Sequence, residues 1–113
     1  MESILTSIKK LLGIEEDDTN FDEEIVMEIN AVLMALTQMG VGPPEGFEIE
    51  DETSTWQDFL GDKVTKFNAV KSYIHKKVKL AFDSASMASP LIECYNRQIA
   101  EFEWRLNHAA ESE

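Results

Sequence analysis

FDEEIVMEINAVLMALTQMG, at residues 21–40, is the stretch of this sequence that decides the fold. Three acids crowd its first turn, where carboxylates favour the positive end of a helix dipole. The segment 31–39 is apolar almost all round, so we expect this helix to be the central one, packed on several sides. Its main apolar stripe follows the helical steps of three and four: Phe21, Ile25, Ile29, Val32, Leu36 and Met39.

Short polar and glycine signals predict the ends of this helix. Asn20 has the side chain of an N-cap, and Glu23 three residues later completes a pattern similar to a capping box. Gly40 follows the last apolar residue and is predicted to be the C′ residue that ends the helix.

Further helices flank this segment. We expect a first helix over residues 2–12, ended by Gly13, with Lys9 and Lys10 on its polar side. A third long helix is predicted over residues 62–82, with this buried stripe: Val64, Phe67, Val70, Ile74, Val78 and Ala81. A last helix begins near Ser86 or Ser89, tolerates Pro90 in its first turn and has this apolar seam: Ile92, Tyr95, Ile99, Phe102 and Leu106. Trp104 lies off the seam and either caps the core or forms an exposed contact.

The long connection at residues 41–53 is predicted to be irregular, because GPPEG at residues 42–46 cannot continue a helix. Phe47 and Ile49 in this loop are expected to fold back onto the core. Ser54 or Thr55 then caps a short helix at residues 56–60, before Gly61. With no repeat and no strand signal, the prediction is an all-α bundle of four to five helices, forming a single domain over residues 1–113.

The charge of the 113-residue chain is strongly acidic and unevenly divided. The formal net charge is −12, which argues against a protein that binds along the whole length of DNA or RNA, because both partners would be negative. Residues 1–60 carry 15 acids and 2 bases, whereas residues 61–113 carry 7 acids and 8 bases. Residues 63–82 contain six lysines and no acid. This division is either a solvated surface or a charge complement between neighbouring copies or partners.

Few residues of this chain are suited to catalysis or metal binding. His75 stands beside Lys76 and Lys77, and neither it, His108 nor the single Cys94 has the spacing of a zinc site. Residues 18–22 begin like a calcium-binding EF-hand loop, but the required glycine and final glutamate are missing. We therefore expect no enzyme activity, no cofactor and no metal. No segment has the length of a membrane span, and helix 2–12 is expected to pack on protein.

Several sequence stretches resemble the small head–tail connector, or adaptor, proteins of tailed bacteriophages and of prophages in Gram-positive bacteria. The most specific are YIHKKVKLAFD at residues 73–83 and EWRLN at residues 103–107, with TWQDFL at residues 55–60. The family often has two prolines after Phe-Asp, where this chain has Ser84 and Ala85. The resemblance implies an all-helical virion protein at the head–tail junction, present in the host cytoplasm during assembly. It also implies a homo-oligomeric ring beneath the portal protein, joined to a tail or stopper protein, with DNA only as passing cargo and no membrane.

Subunits of such a ring meet through two different surfaces, which the divided charge could supply. An acidic lumen that repels passing DNA is a further hypothesis. The alternative function is a small acidic phage-encoded regulatory protein, which binds a host or phage protein, for example by mimicking DNA. Subunit or partner contacts are predicted in the acidic loop 15–18, in the loop 42–51, on the lysine-rich helix and at the off-seam tryptophan: Glu15, Glu16, Asp17, Asp18, Phe47, Ile49, Lys71, Lys76, Lys77, Lys79 and Trp104. Ordinary solvated surface, or bundle packing, is the alternative for each.

Overall fold

A computed structural model describes residues 2–61 and 66–111, with side chains described as far as Leu106. The helices are α1 (Ile4–Leu11), α2 (Asp22–Gln38), α3 (Trp56–Leu60), α4 (Phe67–Asp83) and α5 (Ser89–Glu111). A short 3-10 helix, Ser84–Ser86, joins α4 to α5. Within the described residues there is no strand, only an isolated bridge between Ser3 and Thr55. The all-α prediction is confirmed.

Helix α4 is the hub of the fold, because α1, α2 and α5 all pack against it. Val70, Ile74 and Val78 of the predicted stripe are buried, as expected. Tyr73 is buried as well, whereas Ala81 at the end of the stripe is exposed. The predicted start of this helix at residue 62, and Val64, lie outside the described residues.

Helix α2 is not the central helix that its composition suggested. One face is buried against α1 and α4, and it includes Ile25, Ile29 and Leu36. The opposite face carries Met27 and Met34, whose exposed fractions are 66% and 60%. Phe21, at the start of the predicted stripe, is also exposed. The interpretation failed because an apolar composition does not distinguish residues buried in a core from residues that form an apolar surface.

The two ends of α2 differ in how well they were predicted. Asn20 is not the N-cap: Phe21 occupies that position without a side-chain hydrogen bond. The Asn20 N–H instead donates to Asp18 Oδ1 (3.1 Å), so an Asx turn takes the place of the cap. At the other end Gly40 is the C′ residue with positive φ, as predicted. Its N–H donates to Thr37 O (3.0 Å) and the Val41 N–H to Leu36 O (2.9 Å), which is a Schellman motif.

Helix α5 packs on α4 along the predicted seam. Ile99 and Leu106 are buried, and the Phe102 ring stacks on Tyr73 with ring centroids 4.8 Å apart. Ile92 and Tyr95 are half-buried, and Pro90 lies in the first turn as expected. The face of α5 that points away from α4 is exposed, and Trp104 on it is 60% exposed.

The connection between α2 and α3 is irregular, as predicted, and returns to the core. Ile49 is buried and Phe47 packs against Phe59, with ring centroids 5.4 Å apart. Thr55 caps α3 through a capping box with Asp58. Gly42 adopts a φ of +84°, and the Phe59 ring occupies the space that a Cβ at this position would need. This close approach has no room for a larger residue.

Substitution of Gly42→Ala is expected to lower the free energy of unfolding by about 3 kcal/mol. The new Cβ would lie 2.8 Å from Phe59 Cζ, and alanine would also have to adopt a positive φ. Gly46→Ala is the matched control, since Gly46 has a φ of +99° but open space around its Cβ position. It should cost only about 1 kcal/mol. Urea denaturation measures both, and equal losses would contradict the packing argument.

Candidate interaction surfaces

The acidic loop 15–18 is held in place by a buried lysine of α1. Lys9 is only 2% exposed, and its ammonium donates to the backbone carbonyls of Glu16 (3.0 Å) and Asp18 (2.7 Å). It also forms an ion pair with Asp22 at the start of α2, with Nζ and Oδ1 2.8 Å apart. The side chains of Glu15, Glu16 and Asp17 are exposed. The loop therefore presents carboxylates on a fixed backbone.

The expected position of Lys9 on the polar side of the first helix is wrong. The signal that could have shown it is its spacing: Lys9 lies four residues after Leu5 and next to Ile8, on the border of the apolar stripe. A long side chain there can bury its stem and reach polar groups at the edge of the core. The carbonyls that it binds belong to a loop whose path the sequence does not reveal.

The loop 42–51 is anchored by Asn30 of α2. The Ile49 N–H donates to Asn30 Oδ1 (2.8 Å), and Asn30 Nδ2 donates to the Ile49 carbonyl (3.0 Å). Ile49 is 2% exposed, so its side chain packs in the core of its own chain. The accessible part of the loop lies around Phe47, which is half-buried. Asn30 gave no signal in the sequence, since its partner is 19 residues away.

The predicted lysine surface of α4 is largely occupied by contacts within the chain. Lys71 Nζ lies 2.9 Å from Glu2 Oε1, and Lys79 Nζ lies 3.0 Å from Asp83 Oδ2. Lys77 Nζ is 4.0 Å from Glu103 Oε2, and Lys76 donates to Ser72 Oγ (2.8 Å). All four are half-buried. This helix therefore offers less available positive charge than its sequence suggests.

A polar network connects α1, α3 and α4 inside the core. The Trp56 indole N–H donates to Ser7 Oγ (2.9 Å), and Ser7 Oγ lies 2.5 Å from Glu2 Oε1. The hydrogen bonds from Ser7 and then from Lys71 hold the pKa of Glu2 below its usual value. Glu2 thus remains charged and completes the network at the surface.

Of the few residues suited to catalysis, the structure describes the side chains of His75 and Cys94. Burial, followed by the charges of Lys79 and Lys76, lowers the pKa of His75, although a hydrogen bond with the Leu11 backbone opposes this shift. The His75 ring stands edge-on to Tyr95, with centroids 6.2 Å apart, and Cys94 is half-buried. The side chain of His108 lies outside the described residues.

The described residues contain neither a metal-binding cluster nor a membrane-spanning helix. No group of three or more His, Cys, Asp or Glu side chains in this part of the chain is arranged to hold a metal ion. None of the described helices combines the length and apolar character needed to span a bilayer.

Comparison with known proteins places the whole helical region in one family. A family model described as "Phage connector protein" matches residues 4–113. No curated protein and no solved structure matched the chain.

Removal of the buried ammonium by Lys9→Met is expected to lower the free energy of unfolding by about 3 kcal/mol, because two carbonyls and Asp22 lose their partner. Lys10→Met removes the same charge from an exposed neighbour and should change stability by no more than about 0.5 kcal/mol. Chemical denaturation at pH 7 compares the two variants. A similar loss in both would show that net charge, not the buried anchor, is responsible.

Alkaline pH is expected to weaken the contact between α4 and α5. Tyr73 donates to Glu103 Oε2 (2.7 Å); burial first, and then Glu103, raise the pKa of this phenol in the folded chain. The stabilisation that the protonated Tyr73 phenol gives to the folded chain is complete below the pKa of tyrosine in the unfolded chain, about 10. Above that pH, the free energy of unfolding falls by about 1.4 kcal/mol per pH unit. Unfolding measured at pH 9–11.5 should show a weaker pH dependence for Tyr73→Phe than for wild type. A wild-type slope for Tyr73→Phe would contradict this assignment.

Proposed function

The chain belongs to the phage connector protein family, and from this premise we propose that it is a ring-forming adaptor of the virion. In this proposal the ring lies beneath the portal of the DNA-filled head, joins it to the tail or its stopper, and lets DNA pass through its centre. The family is one of structural phage proteins, so the chain acts by binding other virion components and not by catalysis.

The observation that carries the proposal is the extent of the family match. It covers residues 4–113 and therefore includes all five helices rather than one recurring motif. A match of this extent favours a connector over the alternative, a small acidic inhibitor of a host or phage protein.

The surface chemistry supports a ring in which copies meet through unlike faces. The exposed acids lie mainly in the first 60 residues, on α2 and its two flanking loops. The bases lie almost entirely in the second half of the chain. A cyclic assembly with heterologous contacts needs two different and complementary faces on each subunit.

The same charge division is compatible with passage of DNA. The lysines of α4 are engaged by Glu2, Ser72, Glu103 and Asp83, so they are less available to bind phosphate. Carboxylates that line the centre of a ring would repel the DNA backbone and keep it from adhering. We propose that acidic rather than lysine-rich surface faces the lumen.

Light scattering coupled to size exclusion tests this function. The chain, alone and with the portal assembly of the same phage genome, is followed over a range of protein and salt concentrations. We expect a closed ring, formed by the free protein at high concentration or on the portal. A monomer under all conditions, with no binding to the portal, would contradict the adaptor role. Electron microscopy of the complex then identifies the inner wall, and a lysine-lined lumen would refute the acidic lumen but not the adaptor role.

A further inference from the structure

The outer face of α2 is an apolar stripe surrounded by negative charge. Met27, Ala31 and Met34 are all exposed and follow steps of four and three, so they lie along one side of the helix. Met27 is the most exposed large apolar side chain of the described chain, and Met34 is as exposed as Trp104. Contiguous apolar surface of this kind marks interaction sites on small proteins.

Carboxylates border this stripe in three grooves beside it. A groove of about 330 Å³ on one side of Met27 contains five, from the start of α2 and from residues 50–52. A groove of about 300 Å³ that also includes Met27 contains Glu24 and Glu28, and the groove of about 420 Å³ beside Met34 contains Glu45 and Glu48. Among the described residues that line these grooves there is no lysine or arginine. The stripe therefore suits a partner with an apolar anchor and positive charge.

The outer face of α5 carries an apolar anchor and two arginines, together with Glu101, which pairs with one of them. Arg97 and Trp104 are seven residues apart, which places both on the same side of the helix, and both are exposed. Arg105 beside Trp104 is 70% exposed at its side chain, although it pairs with Glu101. Tryptophan, arginine and methionine are residues enriched in the cores of protein interfaces.

We propose that the methionine stripe of α2 (Met27, Ala31 and Met34) binds the outer face of α5 (Arg97 and Trp104) of a second copy of this chain. The argument for a second copy is that both halves of the contact occur on one chain, on separate helices that each pack against α4. The lysines of α4 have partners in their own chain and Arg105 pairs with Glu101, which leaves Arg97 as the exposed cation on the same side of α5 as Trp104. This inference rests on the proposed ring and specifies its subunit contact.

Cysteine cross-linking tests the contact without removing any of its anchors. Cys94→Ser is introduced throughout, and Ala31→Cys is mixed with Ala100→Cys, since both alanines are exposed and lie on the two faces. Oxidation with copper phenanthroline under ring-forming conditions should yield a cross-linked dimer of the two variants. Ala88→Cys, exposed at the start of α5 but away from this face, is the control partner and should yield none.

A second measurement separates the contact from the ring itself. Trp104→Ala should weaken self-association by about thirtyfold, as expected for a central aromatic anchor. Leu91→Ala, at an exposed apolar residue on another side of α5, should leave it unchanged. Circular dichroism confirms that both variants fold. Rings that form without the Ala31–Ala100 cross-link, and with unaltered affinity for Trp104→Ala, would overturn the contact but not the adaptor role. Absence of any assembly, with or without portal, would overturn both.

Discussion

The indole N–H of Trp56 sets a requirement that the rest of the structure satisfies. Trp56 is fully buried, and a buried donor without a partner would cost about 1–3 kcal/mol. Ser7 of α1 accepts this N–H, and Glu2 with Lys71 extends the network to α4. The backbone reinforces the same junction, because the Ile4 N–H donates to Ser54 O (3.0 Å). One buried tryptophan thus fixes how α1, α3 and the central α4 sit together.

Most of the helical framework could be predicted, because it depends on local periodicity. The seam of α5 from Ile92 to Leu106, the Gly40 stop and the short helix after Thr55 all follow from residues close in sequence. The predicted N-cap of α2 was wrong because the side chains of Asn20 and Asp18 compete for nearby backbone N–H groups. The sequence pattern alone does not identify which side chain accepts them.

Features that depend on distant residues could not be predicted in the same way. Lys71 is paired with Glu2, 69 positions away. The sequence of the lysine-rich helix therefore indicates a free cationic surface, because it does not show these distant partners. The apolar residues on all sides of α2 likewise suggested that the helix is buried all round. A chain of this size has too few helices to cover every side of α2. The stripe around Met34 remains uncovered, and it is the part of α2 for which we propose an interface rather than a core.

Because Lys9 holds the acidic loop through backbone carbonyls, the path of the loop does not depend on the exposed side chains that it carries. The ammonium binds the carbonyls of Glu16 and Asp18, groups that every residue possesses, and it does not bind the carboxylates of Glu15, Glu16 or Asp17. Mutation can therefore change the charge and size of these three side chains while the backbone keeps its path. The sequence of such a loop can diverge without a compensating change in the helices that hold it.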